Sequence, residues 1–175
     1  MRPLQPSAQV STGNPEAKQL FGADIERILP HRYPFLFVDR VTDFVPGVRI
    51  AGRKRFSIDD HAGRGHHPAA PLLSAGIVME VVTQLGAILV LERPEMLGKV
   101  AVLLQIPSAR LLSPVQPGDT LEIEAEVLKL REAFGELRGR AYRDGELVAE
   151  GHMRFGIANA ADLLPGSNIA TTPRS

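Results

Sequence analysis

From Thr120 the chain reads Leu121-Glu122-Ile123-Glu124-Ala125-Glu126-Val127, apolar and acidic residues in strict alternation. Successive side chains of a strand point to opposite faces, so this pattern predicts a β-strand with one wet side. The period of two returns over Leu137 to Tyr142 and over Leu147 to Phe155, and the intervening Asp144-Gly145 is a two-residue hairpin turn. Lys99 to Ile106 adds a more continuously apolar strand. Upstream, Phe35 to Val38 is rich in aromatic and branched residues and reads as a strand running through Val41 to a Pro46-Gly47 turn, with a return strand from Val48 to Phe56. Ala23 to Leu29 fits a short amphipathic helix that must stop before Pro30, because the residue preceding a proline avoids the helical region.

Between these blocks the pattern changes. From Gly76 to Leu91 apolar residues surround a helical axis except at Glu80, Thr83 and Gln84, which fall at i, i+3 and i+4, and Ser74 is placed to cap the N-terminus. A helix with one narrow polar stripe must be wrapped by other elements. The chain is therefore expected to be α+β, with about five or six antiparallel strands forming a curved sheet around one long hydrophobic helix. The uncharged run from Pro68 to Leu91 raises the question of a membrane span. Against it stand Glu80, worth about +2.5 to +3.5 kcal/mol on insertion scales for acidic residues, and the polar or helix-breaking Pro71, Ser74, Thr83 and Gln84, so no membrane insertion is expected. Ile58 to Leu73 has no sustained period and reads as a loop. Residues 1–20 and 158–175, rich in Pro, Ser, Gly and Asn, read as flexible arms flanking a domain over residues 21–157.

Composition narrows the function classes. At 175 residues one core-bearing domain is the simplest organisation, and no internal repeat is visible. Twenty basic against twenty acidic residues remove the bulk electrostatic case for nucleic acid. The absence of cysteine excludes disulfides, thiolate metal sites and cysteine nucleophiles. The N-terminal residues contain no apolar signal core, so a cytoplasmic location is expected.

The chemistry concentrates in one place. Glu80 is the sole ionisable residue between Pro68 and Leu91, and Gly65-His66-His67-Pro68 lies just upstream. A histidine that titrates near neutrality and a carboxyl inside an apolar helix make a base and acid pair for proton transfer. A structural reading of Glu80, capped by hydrogen bonds with Thr83 or Gln84, stands beside the catalytic one. Ala75 and Gly76 lie in the first helical turn, where backbone amides lack intrahelical partners and face the positive end of the dipole, so they are the candidate oxyanion donors. Pro68 and Pro71 hold His66 in the loop, while Glu80 sits ~7 Å along the helix axis at ~1.5 Å per residue. A second subunit can provide the missing partner. His61, His66 and His67 lack helical metal-ligand spacing, so no metal is expected. His67 reads as a loop or tunnel-wall residue. Arg49, Arg53, Lys54 and Arg55 form a basic cluster suited to an acidic partner, or simply a solvated strand face.

Three successive blocks carry a resemblance: Leu29-Pro30-His31-Arg32-Tyr33-Pro34-Phe35-Leu36-Phe37-Val38-Asp39-Arg40-Val41; Gly65-His66-His67-Pro68 with Pro71, Glu80 and Gln84; and Ala109-Arg110 with Pro114-Val115-Gln116-Pro117-Gly118-Asp119. Together, over about Ile25 to Phe155, the chain resembles the hot-dog-fold 3-hydroxyacyl-(acyl-carrier-protein) dehydratases of the FabZ type. The resemblance implies His66 as base and Glu80, fourteen residues on, as acid, facing each other across a homodimer interface. It further implies a substrate tunnel with His67, Pro68 and Gln84 in its wall or loop, no cofactor, an acyl carrier protein as partner and trimers of dimers. His31 and Asp39 read as structural, through capping and turn contacts. The chain departs from the family pattern at His67, where the family has Phe, at Ser74-Ala75, where it has Pro-Gly, and at Ala62-Gly63, where it has paired aromatics. A thioesterase on the same fold, and an acyl-chain or carrier-binding paralogue with weakened chemistry, are the rival readings.

Overall fold

The computed structural model describes residues 19–61, 69 and 71–163. A short strand β1 (Leu20–Phe21) leads into α1 (Gly22–Ile28), followed by β2 (Arg40–Val45), β3 (Arg49–Arg55), the long helix α2 (Ala75–Leu91), β4 (Lys99–Leu111), β5 (Thr120–Leu130), β6 (Phe134–Arg143), β7 (Glu146–Asn159) and a single closing turn, α3 (Ala160–Leu163). Among the described residues the strands form one seven-stranded antiparallel sheet in the order β1-β2-β3-β5-β6-β7-β4. α2 lies across it and touches every strand from β2 to β7. The expected helix wrapped by a sheet is what these residues build.

The alternation seen in the sequence sorts side chains as expected. On β5, Leu121, Ile123 and Ala125 are buried beneath α2. The intervening glutamates lie on the other face, where Glu122 meets Arg53 at 3.0 Å and Glu126 meets Arg138 at 3.1 Å. Two turns need left-handed backbone: Gly47 (φ 68°) closes β2 to β3, and Asp144 and Gly145 (φ 52° and 81°) close β6 to β7. Positive φ at both central residues matches the right-handed twist of the strands they join. α1 ends at Leu29, whose extended ψ of 142° is the conformation that Pro30 imposes.

α2 contains no charge in its first or last turn, and Val78, Val81, Val82, Leu85, Ile88 and Leu89 are all fully buried. Ser74 caps it, its hydroxyl accepting from the Ile77 amide at 3.3 Å. The helix can settle onto the sheet because glycine lies under it: a Cβ at Gly139 would stand 2.1 Å from Val82 Cγ1. Val82 is β-branched and has little rotamer freedom in a helix, so the contact is relieved only by moving backbone. Gly139→Ala is therefore expected to lower stability by about 1–3 kcal/mol, measured by urea unfolding.

The structure redraws several boundaries. Phe35 to Val38 belongs to no ladder: the Phe35 amide closes a turn onto Arg32 O at 2.7 Å, and the side chain of Gln84 takes groups that a neighbouring strand would take, with Phe37 N–H donating to Gln84 Oε1 at 2.9 Å and Gln84 Nε2 donating to Phe35 O at 2.8 Å. β4 runs five residues beyond Ile106 with two register irregularities, and an edge strand of mixed composition shows no clean period. Leu20 is buried and paired with Val41, and β7 extends to Asn159, after which the Ala160 amide bonds Gly98 O at 2.8 Å. Among the described residues no helix is long and apolar enough to cross a membrane.

Candidate active site

Glu80 and Gln84 of the second block lie on α2, and parts of the first and third blocks meet its N-terminal half. The first drapes over it: Gln84, 1% exposed, binds Phe35 and Phe37 as above and fixes the segment from His31 to Val38 against the helix. The third lies at the start of the helix. Its Val115 carbonyl accepts from the Leu73 amide at 2.8 Å just before the helix starts, and Asp119 O accepts from Phe56 N at 2.9 Å at the end of β3. Arg143 holds this loop from beneath, donating to Pro114 O at 2.8 Å and Asp119 Oδ2 at 3.0 Å. The segment that carries His66, His67 and Pro68 is thus tied at both ends, by Phe56 and by Leu73. Those three residues themselves lie outside the described residues.

Glu80 is on α2 between the first block and the solvent, with its side chain 21% exposed. Gln84, one turn on, donates to Glu80 Oε1 at 3.0 Å. Thr83 turns away, its hydroxyl donating to Met79 O at 2.9 Å and to Met153 Sδ at 3.2 Å. The Gln84 amide faces Glu80 and the first block, the polar surface that a buried amide on an otherwise apolar helix needs. Further along α2, Thr83, Ala87, Leu103, Met153 and Phe155 line a small apolar cavity between the helix and the sheet.

Sequence reasoning assigned His31 to capping and turn contacts, yet its Nε2 lies 3.5 Å from Glu80 Oε1. Burial pulls the His31 pKa below the usual histidine value, the Glu80 carboxylate pulls it back up, and Arg32 lowers it again. A signal for this contact existed. A polar stripe on an apolar helix needs polar partners elsewhere, and His31 is the sole histidine upstream of the loop. Asp39 is structural, as expected: its carboxylate accepts from the Arg55 amide at 2.7 Å and from Lys54 Nζ at 3.3 Å.

Ala75 and Gly76 are the first two helical residues, while Ile77 and Val78 are already bonded to Ser74. Both are exposed, and a Cβ at Gly76 would touch only Ser74 Oγ, at 3.8 Å. Ala75 has ordinary helical backbone, since Asp144 is the one non-glycine residue with positive φ among the described residues. The Ser74-Ala75 departure therefore leaves the helix start undistorted: serine caps it and alanine continues it. The basic cluster is largely neutralised. Arg49 pairs with Asp43, Arg53 with Glu122, and Lys54 with Asp39 and Asp60.

Residues 29–152 match the model of the FabA-like domain family. A 3-hydroxyacyl-[acyl-carrier-protein] dehydratase FabZ of Desulforamulus reducens is 43% identical over 133 residues, 76% of this chain and 94% of the relative. Its namesake in Symbiobacterium thermophilum is 40% identical over 79% of this chain and 97% of its own length. The chain belongs to the FabA-like family and is of the FabZ type. Among solved structures, the dehydratase heterocomplex ApeI:P from Xenorhabdus doucetiae superposes on this FabZ-type chain with a TM-score of 0.66 at 20% identity, covering 80% of this chain and 94% of that one. A hypothetical thioesterase from Streptococcus pneumoniae, with coenzyme A, gives 0.54 at 13% identity over 68% and 84%. At these identities the likeness is one of fold, the hot-dog fold, and leaves the choice of chemistry to the site.

Proposed function

We propose that the chain dehydrates 3-hydroxyacyl thioesters carried on acyl carrier protein to trans-2-enoyl thioesters, in the synthesis of fatty acids or related acyl chains. The observation that carries this reading is Glu80, the lone carboxylate of an apolar helix, partly exposed and approached on one oxygen by Gln84 and His31. Neutral His66 takes the proton next to the thioester carbonyl. Glu80 gives a proton to the 3-hydroxyl as the carbon–oxygen bond breaks, releasing water and forming the double bond. The amides of Ala75 and Gly76 face the carbonyl oxygen as charge builds there. At the end one proton rests on His66 and one is missing from Glu80, and exchange with solvent restores both. No cofactor is required, and His67 and Pro68 shape the loop over the thioester.

The reading includes a homodimer, with His66 of one protomer serving Glu80 of the other. β4 supports it: this strand ends the sheet, with Val102, Leu103, Leu104 and Ile106 exposed along an unpaired edge, which a second copy can extend across a two-fold axis. The family resemblance extends this to trimers of dimers. The basic cluster offers an acidic carrier little net charge, since Arg49, Arg53 and Lys54 already have carboxylate partners, and Arg55 is the member we assign to carrier contact.

Incubation with a 3-hydroxyacyl thioester of acyl carrier protein is expected to raise enoyl-thioester absorbance with no free thiol. Free thiol without enoyl product would replace this reading by the thioesterase, and binding of the thioester with neither product by the non-catalytic paralogue.

A further inference from the structure

We propose that His31 is a positioning residue for this reaction: with Gln84 it holds one oxygen of Glu80, leaving the other to exchange the proton with substrate. The inference rests on the reading of Glu80 as the acid. Both approaches converge on Oε1, Gln84 Nε2 at 3.0 Å and His31 Nε2 at 3.5 Å, while Oε2 has no protein partner among the described residues. One hydrogen bond and one close imidazole on the same oxygen orient the carboxyl group and leave the second oxygen available.

The protonation state of the ring follows from its other nitrogen. His31 Nδ1 is buried and makes no hydrogen bond among the described residues. An imidazolium would bury an unsatisfied N–H there, and so would the neutral tautomer protonated at Nδ1, whereas the tautomer protonated at Nε2 buries only a lone pair. That tautomer also presents N–H, not a lone pair, to the carboxylate. Phe35 fixes the plane of the ring by stacking on it, with centroids 6.2 Å apart and planes 25° from parallel. Among the described residues the charged groups facing the ring are Glu80 and Arg32, the latter occupied in donating to Leu29 O and His31 O.

His31 thus has a task in the chemical step. When Glu80 releases its proton through Oε2, the resulting charge spreads onto Oε1, where two N–H groups already stand. At 3.5 Å the pair is an electrostatic contact, and such contacts tighten into hydrogen bonds when charge develops.

The test compares His31→Leu, His31→Gln and Glu80→Gln, with thermal unfolding of each. His31→Leu is expected to lower kcat roughly 10- to 100-fold with KM within about twofold, the size of a lost hydrogen bond to a charged group. His31→Gln, whose amide can donate to Oε1, is expected to recover most of that loss. The His31 ring, followed by NMR, should titrate at lower pH in Glu80→Gln, because the carboxylate that favours its charged form is gone. Wild-type kcat in His31→Leu, or a glutamine variant as slow as the leucine one while melting like wild type, would overturn the proposal and leave the acid role of Glu80 standing. Full activity in Glu80→Gln would remove both.

Discussion

Glu80→Gln lowers kcat for a 3-hydroxyacyl thioester by about 10²- to 10⁴-fold, the range in which a positioned general acid contributes, and His66→Ala lowers it by a similar factor. Neither change should disturb folding. Gln keeps the volume of Glu and still accepts from Gln84 Nε2, which now reaches Glu80 at 3.0 Å. The decisive measurement is the mixture. If the imidazole of one protomer serves the carboxyl of the other, a mixed dimer of the two inactive variants has one site with both substitutions and one with neither. Random exchange of protomers makes half the dimers mixed, each with one intact site, so activity should return to roughly a quarter of wild type. A mixture as inactive as its components, under conditions where exchange is demonstrated, means that both groups of a site come from one chain.

The legible part of this molecule is the part governed by period. Alternation placed Leu121, Ile123 and Ala125 inward and their glutamates outward, and the all-round apolar pattern of α2 required a sheet to enclose it. Ser74 announced the helix start because N-caps have few chemical solutions. What stayed illegible depends on partners distant in sequence. Phe35 to Val38 has the composition of a strand, yet its backbone groups are taken by Gln84, 47 residues away. His31 resembles any histidine beside a proline until the fold sets it against Glu80, 49 positions on. A local pattern reports which face a residue prefers, and it carries no information about which other segment that face will meet. The arginines show the same limit. Arg49, Arg53 and Lys54 read as a basic patch along β3, but the acidic neighbours that neutralise them lie just before and on β2, on β5 and in the turn after β3.

Gln84→Leu should show what that distant pairing is worth. Leucine matches the hydrophobic surroundings and nearly matches the volume, so the change tests hydrogen bonding more than packing. Gln84 is 1% exposed and makes three bonds, to Phe35 O at 2.8 Å, Phe37 N at 2.9 Å and Glu80 Oε1 at 3.0 Å. Its loss leaves a backbone donor and a backbone acceptor without partners, and Phe37 is itself buried, so water reaches its amide poorly. Each orphaned buried group costs about 1–3 kcal/mol, and the gain from burying an apolar side chain offsets part of the sum. A net loss of about 2–4 kcal/mol is expected, read as a fall of roughly 5–15 °C in Tm for a domain of this size. Activity should fall further than stability accounts for, because the first block would no longer hold His31 against Glu80 and Oε1 would lose its closer donor. If Gln84→Leu melts like wild type and turns over at the wild-type rate, the amide is a passenger, and the segment from His31 to Val38 is held by the packing of Phe37 and Val38 alone.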